Sequence, residues 1–237
     1  MTDQEQHPFA ELRFGIPIYT VAEAARHLGV PESTFRAWSH GYVRQQPSRK
    51  PVKGNAFVTT IAARKGQPVV PFVGLVEGMV AAAFRRAGVS LQHIRTALRI
   101  LEDEIGLEHA LASRRLYTDG GRILFDYAKK TDDDELAVVV TGQRVFTDVV
   151  KDYLARIRYA QDDYASRLIL PVTVRPLIEV DPKRNFGRPR FINSGAPVAA
   201  VLNRFKAGES LVSIAADFDL DSSDIEDVLR AALPDAA

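Results

Sequence analysis

The stretch TVAEAARHLGVPESTFRAWSHG, residues 20–41, decides the fold of the first part of this chain. Thr20 followed by Glu23 three residues later is a capping-box pattern, which marks the start of a helix. Apolar residues then recur on one helical face, at Val21, Ala24, Ala25 and Leu28. Gly29 is placed to end this helix in the left-handed conformation. The pattern predicts a short helix before Gly29.

The second half of the stretch predicts another helix. Pro31 suits a first turn, and Ser33 or Thr34 opens a helix that ends near Gly41. The short interval between the helices has the length of the turn in a helix-turn-helix. Two interpretations of this helix pair are open: it binds DNA, or it is a compact helix pair that only packs in a core.

The polar residues of the second helix suit contacts with duplex DNA. An arginine such as Arg36 can bond guanine edges, and the hydroxyls of Ser33 and Thr34 can bond phosphates. Trp38 either joins these DNA contacts or packs inward. Phe35 belongs to the core under either interpretation.

A basic, β-prone segment follows and predicts a wing. The stretch 41–57 is rich in basic and loop-forming residues, with cations at Arg44, Arg49, Lys50 and Lys53. FVTTI (57–61) and PVVPF (68–72) flank Arg64, Lys65 and Gly66, which predicts a hairpin with a basic tip. Because phosphate contacts dominate affinity for DNA, the tip is expected to bind the backbone. A solvated turn is the alternative.

The rest of the chain predicts a helix-rich α+β protein of two domains, 1–172 and 173–237. In the first domain, helices are expected over 73–87, 90–105, 107–113 and 145–158. A hairpin is expected at 116–128, where Asp-Gly-Gly lies between apolar arms. LAVVV (136–140), RLIL (167–170) and LIEV (177–180) are expected to be strands. Three short helices over 197–205, 211–218 and 222–232 form a small C-terminal helical domain.

Composition limits the functional classes. The chain has 237 residues, is 46% hydrophobic and 26% charged, and carries a net charge of +1. These values suit a soluble globular protein, and any contact with nucleic acid must come from local basic clusters. Without cysteine there is no disulfide, thiol catalysis or thiolate zinc site. The first 15 residues do not form a secretory signal, and no apolar run is long enough for a membrane span. A cytoplasmic protein is expected.

The sequence offers no pattern for catalysis, a cofactor or a metal. The acids of TDDDE (131–135) are adjacent, and such runs usually face water. The five histidines have no metal-binding spacing, and there is no phosphate loop or nucleophile elbow. We therefore expect a protein that is not an enzyme.

Two stretches of the chain resemble known protein families. The stretch 19–41, with AFRRAGVSLQHIRTAL (83–98), resembles the winged helix-turn-helix of MerR-type regulators. The stretch 178–232 resembles domain-of-unknown-function family 433, through DP, GRP, AGES, IAADF and DIEDVLRAA in that order. Modules in this order resemble long VapB-type antitoxins. The resemblance implies a cognate toxin, a PIN-type ribonuclease, and the leading hypothesis is an antitoxin that neutralises it and represses its own operon. A dimer is expected on duplex DNA, because helix-turn-helix proteins commonly read two half-sites one turn of the duplex apart.

A second basic cluster precedes the C-terminal helices, at Lys183, Arg184, Arg188 and Arg190. Arginines there could pair with the carboxylates that hold metal in a PIN-type nuclease, so Arg184, Arg188 and Arg190 are candidate partner contacts. DNA binding and a solvated loop are the alternatives. At the level of the whole chain, a MerR-like regulator without a toxin and a pure interaction module remain open.

Overall fold

A computed structural model describes residues 11–46, 49–64, 66–120 and 148–232. The chain divides into two compact units, residues 1–166 and 167–237. The division falls before the boundary expected at 172, inside a strand. Helices and antiparallel strands occur in both units, which confirms the α+β class. The units are described separately below.

The helix-turn-helix of the first unit forms where the sequence predicts it. After strand β1 (Pro17–Tyr19), helix α1 covers Val21–Leu28 and helix α2 covers Glu32–His40. The capping box is complete: Glu23 N–H donates to Thr20 Oγ1 at 3.1 Å, and Thr20 N–H donates to Glu23 Oε2 at 2.8 Å. Gly29 has a φ of 61° and closes α1. Helix α2 begins at Glu32 directly after Pro31, earlier than the predicted start at Ser33 or Thr34.

The wing hairpin lies earlier in the chain than predicted. Strands β2 (Tyr42–Gln46) and β3 (Arg49–Gly54) pair antiparallel, with Val43 opposite Lys53. The stretch 57–61 is not a strand, so the hairpin predicted around Arg64 is wrong. A two-stranded ribbon has only edge strands, which tolerate Pro51 and polar side chains, so it lacks the apolar alternation of a buried sheet. Lys65 lies outside the described residues.

Helix α3 is the core of the first unit. It covers Phe72–Arg86, after strand β4 (Val70–Pro71), which pairs with β1. Its residues from Phe72 to Phe84 are all buried. Gly74 and Gly78 lie one turn apart and permit close contacts. A Cβ at Gly78 would lie 2.5 Å from Phe35 Cε2, and one at Gly74 would lie 2.3 Å from the Thr59 carbonyl oxygen. These glycines let the helix-turn-helix and the segment after the wing lie directly on α3.

The remaining elements of the first unit differ in part from prediction. Helix α4 covers Leu91–Ile105 and is capped by Ser90, as expected. The predicted helix over 107–113 is only a 3₁₀ turn, Ala110–Ala112, because His109 has a left-handed φ of 50°. Leu116–Gly120 forms a π-helical turn instead of a hairpin arm. The stretches 121–128, TDDDE and LAVVV lie outside the described residues. Helix α5 (Asp148–Ala155) ends before strand β5 (Ile157–Tyr159), earlier than predicted.

The second unit combines short strands with three helices. Strand β6 (Ala165–Ile169), in which the division falls, pairs antiparallel with β7 (Ile178–Val180), and β7 pairs with β8 (Arg190–Phe191). Helices α6 (Val198–Lys206), α7 (Leu211–Phe218) and α8 (Ser222–Ala232) follow within one residue of the predicted bounds. Their shared core contains Val201, Ile214, Ile225, Val228 and Leu229.

Candidate nucleic-acid interface and partner surface

The exposed face of α2 carries polar residues at helical spacing. Ser33, Arg36 and His40 are exposed, and Thr34 is half-buried. Arg36 Nη2 lies 2.5 Å from Glu32 Oε1 in a solvent-exposed ion pair. Such pairs are weak, so the guanidinium can exchange this carboxylate for a base edge or a phosphate. Three of the four α2 residues proposed for DNA therefore lie at the surface or close to it.

Trp38 is a core residue, which corrects its assignment to the DNA contacts. Its side chain is only 2% exposed. The indole packs 6.3 Å from the Phe35 ring and 6.0 Å from the Phe57 ring, measured between centroids. Because the ring is enclosed by these aromatic neighbours, it has no access to a groove of DNA.

The base of the wing is fixed against α2. The Trp38 carbonyl oxygen accepts hydrogen bonds from the N–H groups of Phe57, at 2.9 Å, and Val58, at 3.1 Å. From α4, Arg95 Nε donates to the Asn55 carbonyl oxygen at 2.7 Å, and its guanidinium lies 5.2 Å from the Phe57 ring. The wing therefore leaves the body of the unit at a position set by the last turn of α2 and by α4.

The cations proposed for the wing are only partly described. Lys53 on β3 is exposed, as is Arg64 in the loop that precedes β4. Arg44 and Lys50 lie on β2 and β3, but the placement of their side chains is outside the description. Their contact with phosphates stays a prediction.

The net charge differs between the N-terminal and C-terminal parts of the chain. Residues 19–65 contain eight lysines and arginines against two glutamates. Residues 167–237 contain nine lysines and arginines against ten acidic residues. The near-zero net charge of the whole chain therefore hides a strongly basic helix-turn-helix segment, as electrostatic binding to phosphates requires.

The second unit contains a helix pair with a similar turn and a different surface. Asp219, with a left-handed φ of 52°, ends α7 as Gly29 ends α1, and α8 begins at Ser222. The position of a recognition helix is thus taken by α8. Its acids Glu226 and Asp227 are half-buried, and the exposed Arg230 pairs with both of them. The charge of α8 does not favour a nucleic-acid backbone.

Arg190 is an internal residue, which corrects its assignment to the partner surface. Its side chain is 12% exposed, and Nη2 lies 2.5 Å from Oε1 of the buried Glu179. Arg184 and Arg188 are exposed, as is Lys183. Of the three arginines proposed for the partner, two therefore remain at the surface.

Sequence reasoning missed a polar cluster around the buried Glu77 in the first unit. The Glu77 carboxylate accepts hydrogen bonds from Thr59 N–H at 2.6 Å and Thr59 Oγ1 at 3.0 Å, and it lies 3.0 Å from His109 Nδ1. The hydrogen bond with Glu77 raises the pKa of His109 above its usual 6.5, although burial opposes the shift. The cluster lines a cleft of 640 Å³ between the residues after the wing, α4 and residues 107–111. A single glutamate in an apolar helix was its only sequence signal.

The structure gives no sign of a metal centre or a membrane segment in the part of the chain it describes. Within residues 11–46, 49–64, 66–120 and 148–232, no group of three histidines or acids is arranged to hold a metal ion. None of the helices described there combines the length and apolar character that crossing a bilayer requires.

Comparison with protein families matches both ends of the chain. Residues 17–98 match the family described as "Putative DNA-binding HTH domain". Residues 178–231 match the family described as "Protein of unknown function (DUF433)". The chain is thus of the class in which a helix-turn-helix DNA-binding domain is followed by a DUF433 domain.

Similar proteins extend the match over nearly the whole length. "Putative antitoxin VapB45" of Mycobacterium tuberculosis is 39% identical over 230 residues, which cover 93% of this chain and 96% of that protein. "Uncharacterized protein Rv2308" of the same organism is 26% identical over 219 residues, with 90% and 88% covered. The crystal structure of Rv2018 from M. tuberculosis is 35% identical, has a TM-score of 0.76, and covers 92% of this chain and 99% of that one. The chain belongs to the VapB antitoxin family represented by VapB45, which confirms the resemblance seen in the sequence.

Proposed function

We propose that this protein is an antitoxin that binds and represses its own operon and neutralises a PIN-type ribonuclease toxin encoded beside it. The observation that carries the proposal is the basic charge of residues 19–65, which hold the helix-turn-helix and wing, beside a second unit that is close to neutral. The basic segment suits a phosphate backbone, and the second unit suits a protein partner.

The DNA-binding role rests on α2 and the wing. Arg36 and Ser33 lie on the exposed face of α2, and Lys53 is exposed on the hairpin that follows. Proteins with this motif commonly read two half-sites about 34–36 Å apart, one turn of the duplex, as dimers. We therefore infer that the protein binds its operator as a homodimer, with phosphate contacts from Arg44, Lys50, Lys53, Arg64 and Lys65.

The toxin-binding role rests on the cations of the second unit. Lys183, Arg184 and Arg188 are exposed in one short segment. A nuclease that holds metal with clustered carboxylates presents an acidic site, and arginine pairs with carboxylates in a bidentate geometry. Charge complementarity of this kind raises the association rate and makes binding sensitive to salt.

The test is co-expression with the product of the adjacent gene, followed by size exclusion and a growth-rescue assay. The double variant Arg184→Glu with Arg188→Glu is expected to lose the complex and the rescue while it keeps operator binding. Lys206→Glu, on the exposed surface of α6, is the control for a charge change elsewhere in the second unit. If the double variant loses operator binding but still rescues growth, these cations contact DNA and their assignment to toxin binding is overturned.

A second candidate function is a MerR-like transcription regulator without a toxin partner. The cleft beside Glu77 and His109 favours it, because one wall is formed by residues 55–59 at the base of the wing. A small molecule bound there would contact the segment that positions the wing on α2. The two functions are distinguished by the adjacent gene product, which forms a complex only in the first case.

A further inference from the structure

The segment before β8 contains an exposed phenylalanine in a left-handed turn. Asn185, Phe186 and Gly187 have φ values of 48°, 52° and 71° in succession. The side chain of Phe186 is 90% exposed. Positive φ is disfavoured for residues with a Cβ. A phenyl ring that stays in water also contributes no hydrophobic stabilisation to the fold. A glycine or an asparagine at position 186 would suit the fold of the unit better.

Backbone hydrogen bonds hold this turn in place. Arg184 N–H donates to the Asp181 carbonyl oxygen, Gly187 N–H to that of Arg184, and Arg188 N–H to that of Asn185, each at 2.9 Å. Lys183 N–H donates to Asp181 Oδ1, also at 2.9 Å. The ring is therefore presented on an ordered loop, which lowers the entropy lost when it enters a pocket.

Three cations lie within three residues of Phe186 in the sequence. Lys183, Arg184 and Arg188 are all exposed, and Arg184 Nε lies 3.8 Å from Asp181 Oδ2. An apolar side chain flanked by cations fits an apolar pocket with an acidic rim. A second copy of the same surface would bring like charges together in a twofold contact. Duplex DNA is less suitable, because the second unit has ten acids against nine lysines and arginines, and because α8 is acidic.

We propose that Phe186 is the anchor with which the second unit docks into an apolar, acid-rimmed pocket of the cognate toxin. This inference rests on the proposed function, since it names the contact by which the antitoxin holds the toxin. Binding energy at protein interfaces is concentrated in a few buried aromatic and arginine side chains. Phe186 supplies the ring, and Arg184 and Arg188 supply the charged contacts beside it.

The test uses Phe186→Gly in the full chain, because this change is expected to affect folding stability and toxin binding in opposite directions. Glycine relieves the left-handed backbone, so the melting temperature is expected to rise. Removal of the ring is expected to weaken the complex with the adjacent gene product by roughly 30-fold, as for a typical interface hot spot. Phe186→Leu, which keeps an apolar anchor, is expected to lose less. Val174→Ala, at a site 98% exposed in the same unit, is the matched control and is expected to bind like the parent chain.

The outcomes separate this inference from the proposed function. If the parent chain forms no complex with the adjacent gene product, the proposed function fails and the anchor fails with it. If the parent chain binds and Phe186→Gly binds equally well, only the anchor is overturned. The anchor is also overturned if Phe186→Gly lowers the melting temperature, or if it weakens operator binding and leaves toxin binding unchanged.

Discussion

Trp38 and Phe57 are joined twice, by a backbone hydrogen bond and by their rings. The Phe57 N–H donates to the Trp38 carbonyl oxygen at 2.9 Å, and the ring centroids lie 6.0 Å apart. Trp38 belongs to the last turn of α2, and Phe57 directly follows the wing. This pair sets the distance between the two elements that are proposed to contact DNA.

Arg36→Ala is expected to weaken binding to the protein's own promoter by roughly 1–3 kcal/mol if Arg36 reads a base. Binding is measured by fluorescence anisotropy with a labelled promoter duplex. Arg99→Ala on α4 is the matched control, because Arg99 forms the same kind of exposed i,i+4 ion pair, with Asp103. Unchanged affinity in a folded Arg36→Ala protein would exclude the base-reading role.

Lys53→Ala is expected to weaken binding to all duplex sequences by a similar factor. A phosphate contact carries no sequence information, and its loss reduces the slope of log K against log salt by about 1. The measurement is a salt titration with the promoter and with an unrelated duplex. A loss confined to the promoter would instead indicate that Lys53 contacts a base.

Gly78→Ala is expected to destabilise the protein by about 1–3 kcal/mol, because the added methyl overpacks the contact with Phe35. The Phe35 ring must move, so operator affinity should also fall. Gly106→Ala is the control: its φ of 60° disfavours alanine, but no atom lies within 4 Å of the new methyl. Urea unfolding and operator binding of both variants check the prediction. Full operator affinity in Gly78→Ala would show that α2 does not depend on this contact.

Arg190→Met is expected to cost about 3 kcal/mol of folding free energy, because it removes the close partner of the buried Glu179 carboxylate. Arg230→Ala on the surface of α8 is expected to cost less than about 1 kcal/mol, although Arg230 also pairs with acids. Chemical denaturation followed by circular dichroism measures both. Equal costs would contradict the internal role assigned to Arg190.

His109→Gln is expected to change stability in a pH-dependent way. Because the pKa of His109 is raised in the folded state, its protonation stabilises the fold at low pH. This contribution is complete below the unfolded pKa of about 6.5 and is lost as the pH rises through the raised folded value. The parent chain should therefore exceed His109→Gln in melting temperature most clearly near pH 6, and the difference should shrink near pH 9. A difference independent of pH would refute the prediction.

Local signals in the sequence predicted the elements whose ends they mark. The capping box at Thr20, the glycine at 29 and the serine at 90 each set a helix end by a backbone rule that needs no tertiary contact. The wing was misplaced because its strands carry polar residues and a proline, whereas the more apolar stretch 57–61 is mostly half-buried and forms no strand. Arg190 and Trp38 show the same limit, because a charge or a ring in a motif does not reveal whether a buried partner lies opposite.

The site residues that depend on distant contacts could not be read from the sequence. Glu77 and His109 are 32 positions apart and meet only because α3 packs beside the turn that contains His109. Phe186 has no periodic pattern around it, and its exposure follows from three successive left-handed residues.

The burial of Trp38 has a practical consequence, since it is the chain's single tryptophan. Its indole Nε1 is enclosed and has no hydrogen-bond partner within the described residues. Tryptophan emission therefore reports on one place only, the contact between α2 and the residues that follow the wing. A blue-shifted spectrum is expected for the free protein. A change in the spectrum when a promoter duplex is added would show, without an attached label, that this contact responds to DNA.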